Sequence, residues 1–220
     1  MAQVKKNLAV FDLDSTLTLK DTYLDFLLRF LWSHPARLAR TIGLPFDVAK
    51  FKLGQRDNCW LKQRFLNAIL GQVSREELAL FSRGFVDHLW LRGMRRSAQD
   101  RLAVHQDADD RVILVTASFD FYVDYLARKL GVEEVIATGA EWQEDQLTGK
   151  LAGQNCYGVE KLRRLDLVLG DARDDYFITA YSDHHTDSPL LNWADKAVAV
   201  APTVKLEKEA VKQGWEILPG

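Results

Sequence analysis

The sequence predicts an α/β fold: a parallel sheet packed against helices, with a helical insertion after the first strand. Three observations carry this expectation. Short apolar runs at 8–11, 112–115, 135–137, 176–181 and 197–201 have the unbroken hydrophobicity of strands buried on both faces. Helical patterns separate most of these runs, and strands alternating with helices argue for a parallel sheet. About a hundred residues lie between the first two runs, far more than one crossover requires.

Taken in order, the run Leu8-Ala9-Val10-Phe11 is the first strand. Residues 21–32 then place Leu24, Leu27, Leu28 and Leu31 on one helical stripe, and 58–70 repeat the pattern with Leu61, Phe65, Leu66 and Ile69. Ser74-Arg75-Glu76-Glu77 reads as a capping box that opens a helix with Leu78, Phe81, Phe85 and Leu89 on one face. Pro35, Gly43 and Pro45 punctuate this stretch, so residues 19–91 are expected to form a small helical domain. The second strand run, Val112-Ile113-Leu114-Val115, ends in Thr116-Ala117-Ser118, and a helix is expected from about Asp120. Residues 139–153 read as a hairpin, and 158–169 return to helical spacing through Val159, Leu162, Leu165 and Leu169.

Composition narrows the class. The chain has 220 residues, 47% hydrophobic and 27% charged, with a formal net charge of -2. Such a balance carries no nucleic-acid footprint. Cys59 and Cys156 lie far apart with no CxxC pair, as expected of reduced thiols in a cytoplasmic protein. The opening residues Met1-Ala2-Gln3-Val4-Lys5-Lys6 lead into an apolar run shorter than a signal segment. No apolar stretch reaches the roughly 20 residues of a membrane span.

The chemistry concentrates at strand ends. Asp12 and Asp14 follow the first strand, and in an extended segment they would point to the same side. The carboxyl end of a parallel strand is where α/β sheets bind ligands. Two neighbouring carboxylates repel, so the pair calls for a shared proton or a cation, and Mg²⁺ suits oxygen donors and phosphate. The plainer alternative is a solvated turn with a helix cap. Thr116 and Ser118 offer hydroxyls and free N–H groups at a strand-to-helix turn as an anion site, the plainer alternative being helix capping by Ser118 or Asp120. Lys161 near the start of a helix is a surface residue unless that helix begins at the site. Asp183 and Asp187 follow the fourth strand run and add two carboxylates. His184 and His185 are adjacent and lack zinc-ligand spacing.

These segments, in this order, resemble the haloacid dehalogenase-like phosphohydrolases over almost the whole chain. Asp12-Leu13-Asp14-Ser15-Thr16, Thr116, Lys161, and Asp183 with Asp187 are similar to that family's four motifs. The resemblance implies a Rossmannoid sheet with helices on both faces, a core of residues 1–18 and 92–220, and a C1-type cap of residues 19–91. It is closest to the subfamily IB branch, which contains phosphoserine phosphatase and a phosphatidylglycerophosphatase. It implies Asp12 as nucleophile through an aspartyl-phosphate, Asp14 as acid and base, and Mg²⁺ on Asp12, the Asp14 carbonyl and Asp183. Thr116, Ser118 and Lys161 would bind phosphate, with Asp187 in support. Asp21 stands where phosphoserine phosphatase has a substrate-binding glutamate, and Ala117, Ser118, Ser182 and Thr186 also depart from that enzyme.

The expected substrate is a small phosphomonoester, with a lipid phosphate as the alternative. The insert's Phe26, Phe30, Trp32, Phe46, Phe51, Trp60 and Phe65 serve either as its core or as an apolar surface. No membrane span is expected, and peripheral membrane contact stays open. A phosphotransferase and a non-catalytic phospholigand-binding protein remain alternatives. A dehalogenase is disfavoured, because that branch lacks the second aspartate that Asp14 supplies.

Overall fold

The computed structural model describes residues 5–220, so residues 1–4 of the opening segment considered above lie outside the described residues. The chain opens with β1 (Lys6–Phe11) and a wide helical turn at Leu13–Leu17. Four helices follow: α1 (Thr22–Ser33), α2 (Leu44–Lys52), α3 (Asn58–Leu70) and α4 (Arg75–Arg92). The chain then runs through α5 (Arg96–Asp107), β2 (Arg111–Phe119), α6 (Asp120–Leu130) and β3 (Glu134–Thr138). A hairpin of β4 (Ala140–Gln143) and β5 (Gln146–Leu151) leads to α7 (Val159–Leu169). The last elements are β6 (Tyr176–Ser182), α8 (Ser188–Trp193), β7 (Lys196–Val200), α9 (Val204–Gln213) and β8 (Glu216–Leu218).

Six strands form one sheet in the order β3-β2-β1-β6-β7-β8, every neighbouring pair parallel. β1 is central, with Phe11 level with Leu114 of β2 on one side and Tyr181 of β6 on the other. The chain winds outward from β1 to β3 on one side and from β6 to β8 on the other. The carboxyl ends of β1 and β6 therefore sit at a switch point, the usual place for a ligand crevice.

Alternation along the strands assigns the two faces. Leu8 and Val10 turn to a core closed by Leu165 and Leu169 of α7, Leu190 and Leu191 of α8, and Leu206 of α9. Ala9 and Phe11 turn to the other core, closed by Ala98 and Leu102 of α5 and Tyr122 and Leu126 of α6. The predicted strands are thus present. α2, α5, α8, α9 and β8 were not individually anticipated: α5 has only Ala98 and Leu102 buried, and β8 is a three-residue edge without an apolar run.

The helical insertion leaves and rejoins the sheet at one place. Thr18 bridges Met94, the Leu19 N–H donates to the Gly93 carbonyl at 2.7 Å, and the Arg95 N–H donates to Leu17 at 2.8 Å. The stripe expected on α1 is rotated. Phe26, Leu27 and Phe30 are fully buried, whereas Leu24 and Leu28 are 47% and 45% exposed. The larger rings claim the interior, where Phe26 stacks on Tyr122 of α6 with centroids 4.9 Å apart. The interior of the insertion is continuous with the core of that sheet face. The insert's aromatics divide accordingly: Phe26 and Phe30 are core, while Trp32 and Phe46 stand 83% and 71% exposed.

The α4 reading holds. Ser74 caps the helix by accepting from the Glu77 N–H at 3.2 Å, but the Glu77 carboxylate pairs with His34 rather than closing the box. The segment before α4 also pairs with the hairpin: the Gln72 N–H donates to the Leu147 carbonyl, and the Leu147 N–H to Val73. Gly149, with φ +82°, lets β5 approach α3 so closely that a Cβ would lie 2.6 Å from the Asn67 Cα.

Candidate active site

β1 ends at Phe11, and Asp12 is held by its N–H donating to the Tyr181 carbonyl at 3.0 Å. The chain does not continue extended. It coils through Leu13–Leu17, with Ser15 at φ +59°, so the two aspartates are not presented as alternate residues of a strand. Asp14 itself keeps extended dihedrals (φ -69°, ψ 125°), and the turn still brings both aspartates to one end of the sheet.

Asp12 is 4% exposed, and its Oδ1 accepts from the Lys161 ammonium at 2.7 Å. Its Oδ2 accepts from the Thr16 hydroxyl at 3.2 Å, and Thr16 also lies 3.3 Å from Asp183 Oδ1. Lys161 donates to Asp187 Oδ2 at 2.6 Å, and the same oxygen accepts from Ser182 at 2.8 Å. Lys161 arrives there because α7 starts at Gly158, whose backbone (φ 59°, ψ -126°) is closed to side-chain-bearing residues. Lys161 shares the buried face of α7 with Leu165 and Leu169, while Val159, expected on that face, is 68% exposed.

Asp14 is held separately. Its Oδ1 accepts from both the N–H and the hydroxyl of Thr22, each at 2.6 Å. Its Oδ2 accepts from Ser118 Oγ at 2.5 Å and lies 3.4 Å from Thr116 Oγ1. Thr22 also contacts Tyr122 Oη at 3.0 Å. Ser118 is therefore not a helix cap; its hydroxyl belongs to Asp14, and its N–H donates to Thr116 Oγ1 at 3.0 Å. Asp21 caps α1 by accepting from the Leu24 N–H at 2.8 Å. The structure thus brings Asp12, Asp14, Thr116, Ser118, Lys161, Asp183 and Asp187 to one end of β1, β2 and β6, with Asp21 at its margin.

The electrostatics are crowded. Burial pushes the Asp12 carboxyl up to about 8; Lys161 opposes this, and Asp187, Asp14 and Asp183 reinforce it. Burial likewise raises Asp183 to about 6 against the pull of Lys161. Burial disfavours the Lys161 cation, but Asp12 and Asp187 outweigh it and hold the ammonium well above its ordinary range. One cation thus serves a cluster of carboxylates, and the buried Asp187 Oδ1 has no hydrogen-bond partner. That donor set, hard and over-negative, fits a divalent cation. Among the described residues no three His, Cys, Asp or Glu side chains are grouped as a metal cage. Mg²⁺ needs none, since it is held by one or two carboxylates and keeps several waters.

Thr22 and Tyr122 take part without having been singled out, and Thr16 was named only as the last residue of the first motif. Thr16 had a signal, lying four residues after Asp12 on a turn that returns to it. Thr22 and Tyr122 had none: Thr22 turns back onto Asp14 from the start of α1, and Tyr122 meets Thr22 from a distant segment.

The haloacid dehalogenase-like hydrolase family model matches residues 9–192. A histidinol-phosphatase of Neisseria meningitidis is 30% identical across 97% of this chain and 98% of its own length. A phosphoserine phosphatase of Mycobacterium tuberculosis is 29% identical across 95% of this chain and 69% of its own. A crystal structure of a Bordetella pertussis protein of unknown function superposes with a TM-score of 0.84 at 26% identity, covering 98% of this chain and 99% of that one. A substrate-bound phosphoserine phosphatase shares the fold, with a TM-score of 0.64 at 18% identity over 99% of this chain and 94% of that one. The chain therefore belongs to the haloacid dehalogenase-like hydrolase family and is one of its phosphatases.

Proposed function

We propose that this protein is a Mg²⁺-dependent phosphomonoester hydrolase working through an aspartyl-phosphate at Asp12. The observation that carries this reading is the buried Lys161 ammonium shared between Asp12 and Asp187 at the end of β1. An Asp12 oxygen attacks phosphorus, and the bond to the leaving oxygen breaks as Asp14 delivers its proton there. Asp14 then takes a proton from water, the water oxygen attacks phosphorus, and the Asp12–phosphorus bond breaks. Lys161 and the Thr116 hydroxyl stabilise the phosphoryl oxygens, with the Ser118 loop beside them. Asp12, the Asp14 carbonyl and Asp183 would hold the metal, with Asp187 orienting Lys161. When bound, Mg²⁺ supplies the positive charge that keeps Asp12 ionised and offsets the phosphoryl oxygens.

Residues 1–18 and 92–220 form the catalytic core in this reading, and 19–91 the cap. The relatives' names point to phosphate esters of small amino alcohols, and Asp21, at the margin of the site, would meet the amine. A cleft of about 470 Å³ beside it is lined by Leu24, Asp25, Leu28, His88 and Leu89. The two free thiols agree with a cytoplasmic setting. Phosphate release from a phosphomonoester panel, with and without Mg²⁺, tests the reading in wild type and Asp12→Asn. Magnesium-dependent release that vanishes in the variant is expected; release that survives it refutes Asp12 as nucleophile.

A lipid phosphate is the second reading. The outward side of α2 and its flanks leaves Ile42, Phe46 and Leu53 73%, 71% and 72% exposed, with Lys50 and Lys52 also exposed. Turnover of vesicle-borne phosphatidylglycerophosphate above that of soluble esters would favour it, and background turnover would exclude it.

A further inference from the structure

Lys62 is a buried ammonium that the proposed chemistry does not use. It lies on α3, in the helical insertion, and is 6% exposed. No carboxylate lies within ion-pair distance of it among the described residues. It donates instead to the Ala117 backbone carbonyl and, at 2.9 Å, to Asn155 Oδ1. Asn155 is itself fixed by the Thr138 hydroxyl at 3.0 Å. The rings of Phe119 and Tyr23 flank the ammonium at 4.7 and 5.0 Å from their centroids. An ammonium so placed gives up hydration for two neutral acceptors and two aromatic faces, an expensive arrangement for packing alone.

The carbonyl it grips lies between Thr116 and Ser118. A peptide unit is planar, so fixing the Ala117 C=O fixes the Ser118 N–H on the opposite edge. That N–H donates to Thr116 Oγ1, and the Ser118 hydroxyl donates to Asp14. The peptide seen by the phosphate-binding loop and by the acid–base carboxylate is thus oriented from the insertion, across the boundary with the sheet.

We infer that Lys62 is a positioning residue: docking of the insertion brings its ammonium onto the Ala117 carbonyl and so aligns the Thr116–Ser118 loop and Asp14 for phosphoryl transfer. The loop is fully ordered for catalysis only while the insertion is docked and Lys62 is charged. This ties enclosure of the substrate to preorganisation of the site. It rests on the phosphatase reading, but the contact it invokes can be observed without turnover.

Burial lowers the Lys62 ammonium to about 8. The titratable groups around it are Asp14, Asp21, Cys156 and Cys59, all of which oppose the fall, and Tyr23, whose ring flanks it. The cationic donor is therefore present below about 8 and lost above it.

The test uses Mg²⁺-loaded wild type, Lys62→Arg and Lys62→Met with p-nitrophenyl phosphate from pH 6 to 9.5. Lys62→Met is expected to lower kcat by roughly 10- to 100-fold with KM changed less than about threefold. Wild-type kcat should fall above about pH 8, and Lys62→Arg should retain activity without that decline. A Lys62→Met enzyme with wild-type kcat overturns the inference. So does a change confined to KM, which would make Lys62 a direct substrate ligand, and so does the same alkaline decline in all three proteins. The Ser118 amide resonance supplies the second readout. It should titrate with Lys62 in wild type and be displaced and pH-independent in Lys62→Met. If wild type turns over no ester, the phosphatase reading fails, and this resonance still decides whether Lys62 controls the loop.

Discussion

Asp12, Asp187 and Lys161 form a buried triad in which each charge depends on the others. Replacing the lysine strands carboxylates without their counter-ion, a loss of about 3–5 kcal/mol for a buried pair broken on one side. Lys161→Met should therefore be destabilised most at pH 8 in the presence of a chelator, and much less at pH 5, where Asp12 takes up a proton instead. Denaturant midpoints at the two pH values measure this. For the nucleophile, the expected outcome is sharper. Asp12→Asn should lose at least about 10³-fold in kcat, and acid-quenched wild type should carry one phosphoryl group on the peptide containing Asp12, while the variant carries none. Ser118→Ala removes one of the hydroxyls on Asp14 and should lower kcat most for esters with poor leaving groups, which need the proton; equal losses for good and poor leaving groups would contradict that role.

At the scale of elements, the starts of two helices matter most. α7 begins at Gly158, whose dihedrals place Lys161 on the inward face. Gly158→Ala finds open contact, with only the Thr186 carbonyl 3.5 Å away, so its penalty is conformational. It should cost about 1–3 kcal/mol and lower kcat along with stability. α6 begins at Asp120, whose buried Oδ1 lacks a partner. Burial, against the pull of the Phe121 N–H, raises its carboxyl from 3.8 to about 6. The folded state thus holds this proton more tightly than the unfolded chain. Ionisation costs the fold nothing below 3.8 and its full amount above about 6. Asp120→Asn should accordingly raise stability by about 1 kcal/mol at pH 7.5 and leave it unchanged at pH 3.5.

Across the whole molecule, insertion and sheet share one apolar interior, in which Phe26 meets Phe85 and Tyr122. Units that share a core lose it together, so unfolding should be one cooperative transition by near- and far-ultraviolet circular dichroism. Phe26→Ala should lower stability by about 3–5 kcal/mol while keeping that single transition. Two separated transitions in wild type would show an insertion that folds on its own. The joint at Thr18 and Met94 and the pairing of residues 72–75 with the hairpin tie the insertion to the rest at two places.

Local patterning was enough for the strands other than β8 and for α1, α3, α4, α6 and α7, because a strand buried on both faces needs continuous apolar residues and a helix needs its periodic stripe. The motif residues at strand ends were legible for the same reason: a parallel sheet delivers the residues after its strands to one edge. Side-chain competition was not legible. On α1, Leu24 and Leu28 obey helical spacing but yield the interior to Phe26 and Phe30, whose rings fill more volume. Lys62 shows the same limit. It falls in register with Leu66 and Ile69 on α3, yet a lysine there reads as a break in the stripe until its acceptors are seen. Those acceptors, Ala117 and Asn155, come from segments far away in the chain. Sequence alone therefore settles the strand runs, which follow from local periodicity, and the resemblance of its motifs names the family and the carboxylates expected at the sheet edge. The folded chain settles which oxygen each hydroxyl and ammonium serves, because a buried polar group takes whichever partner the packing of distant segments leaves within reach.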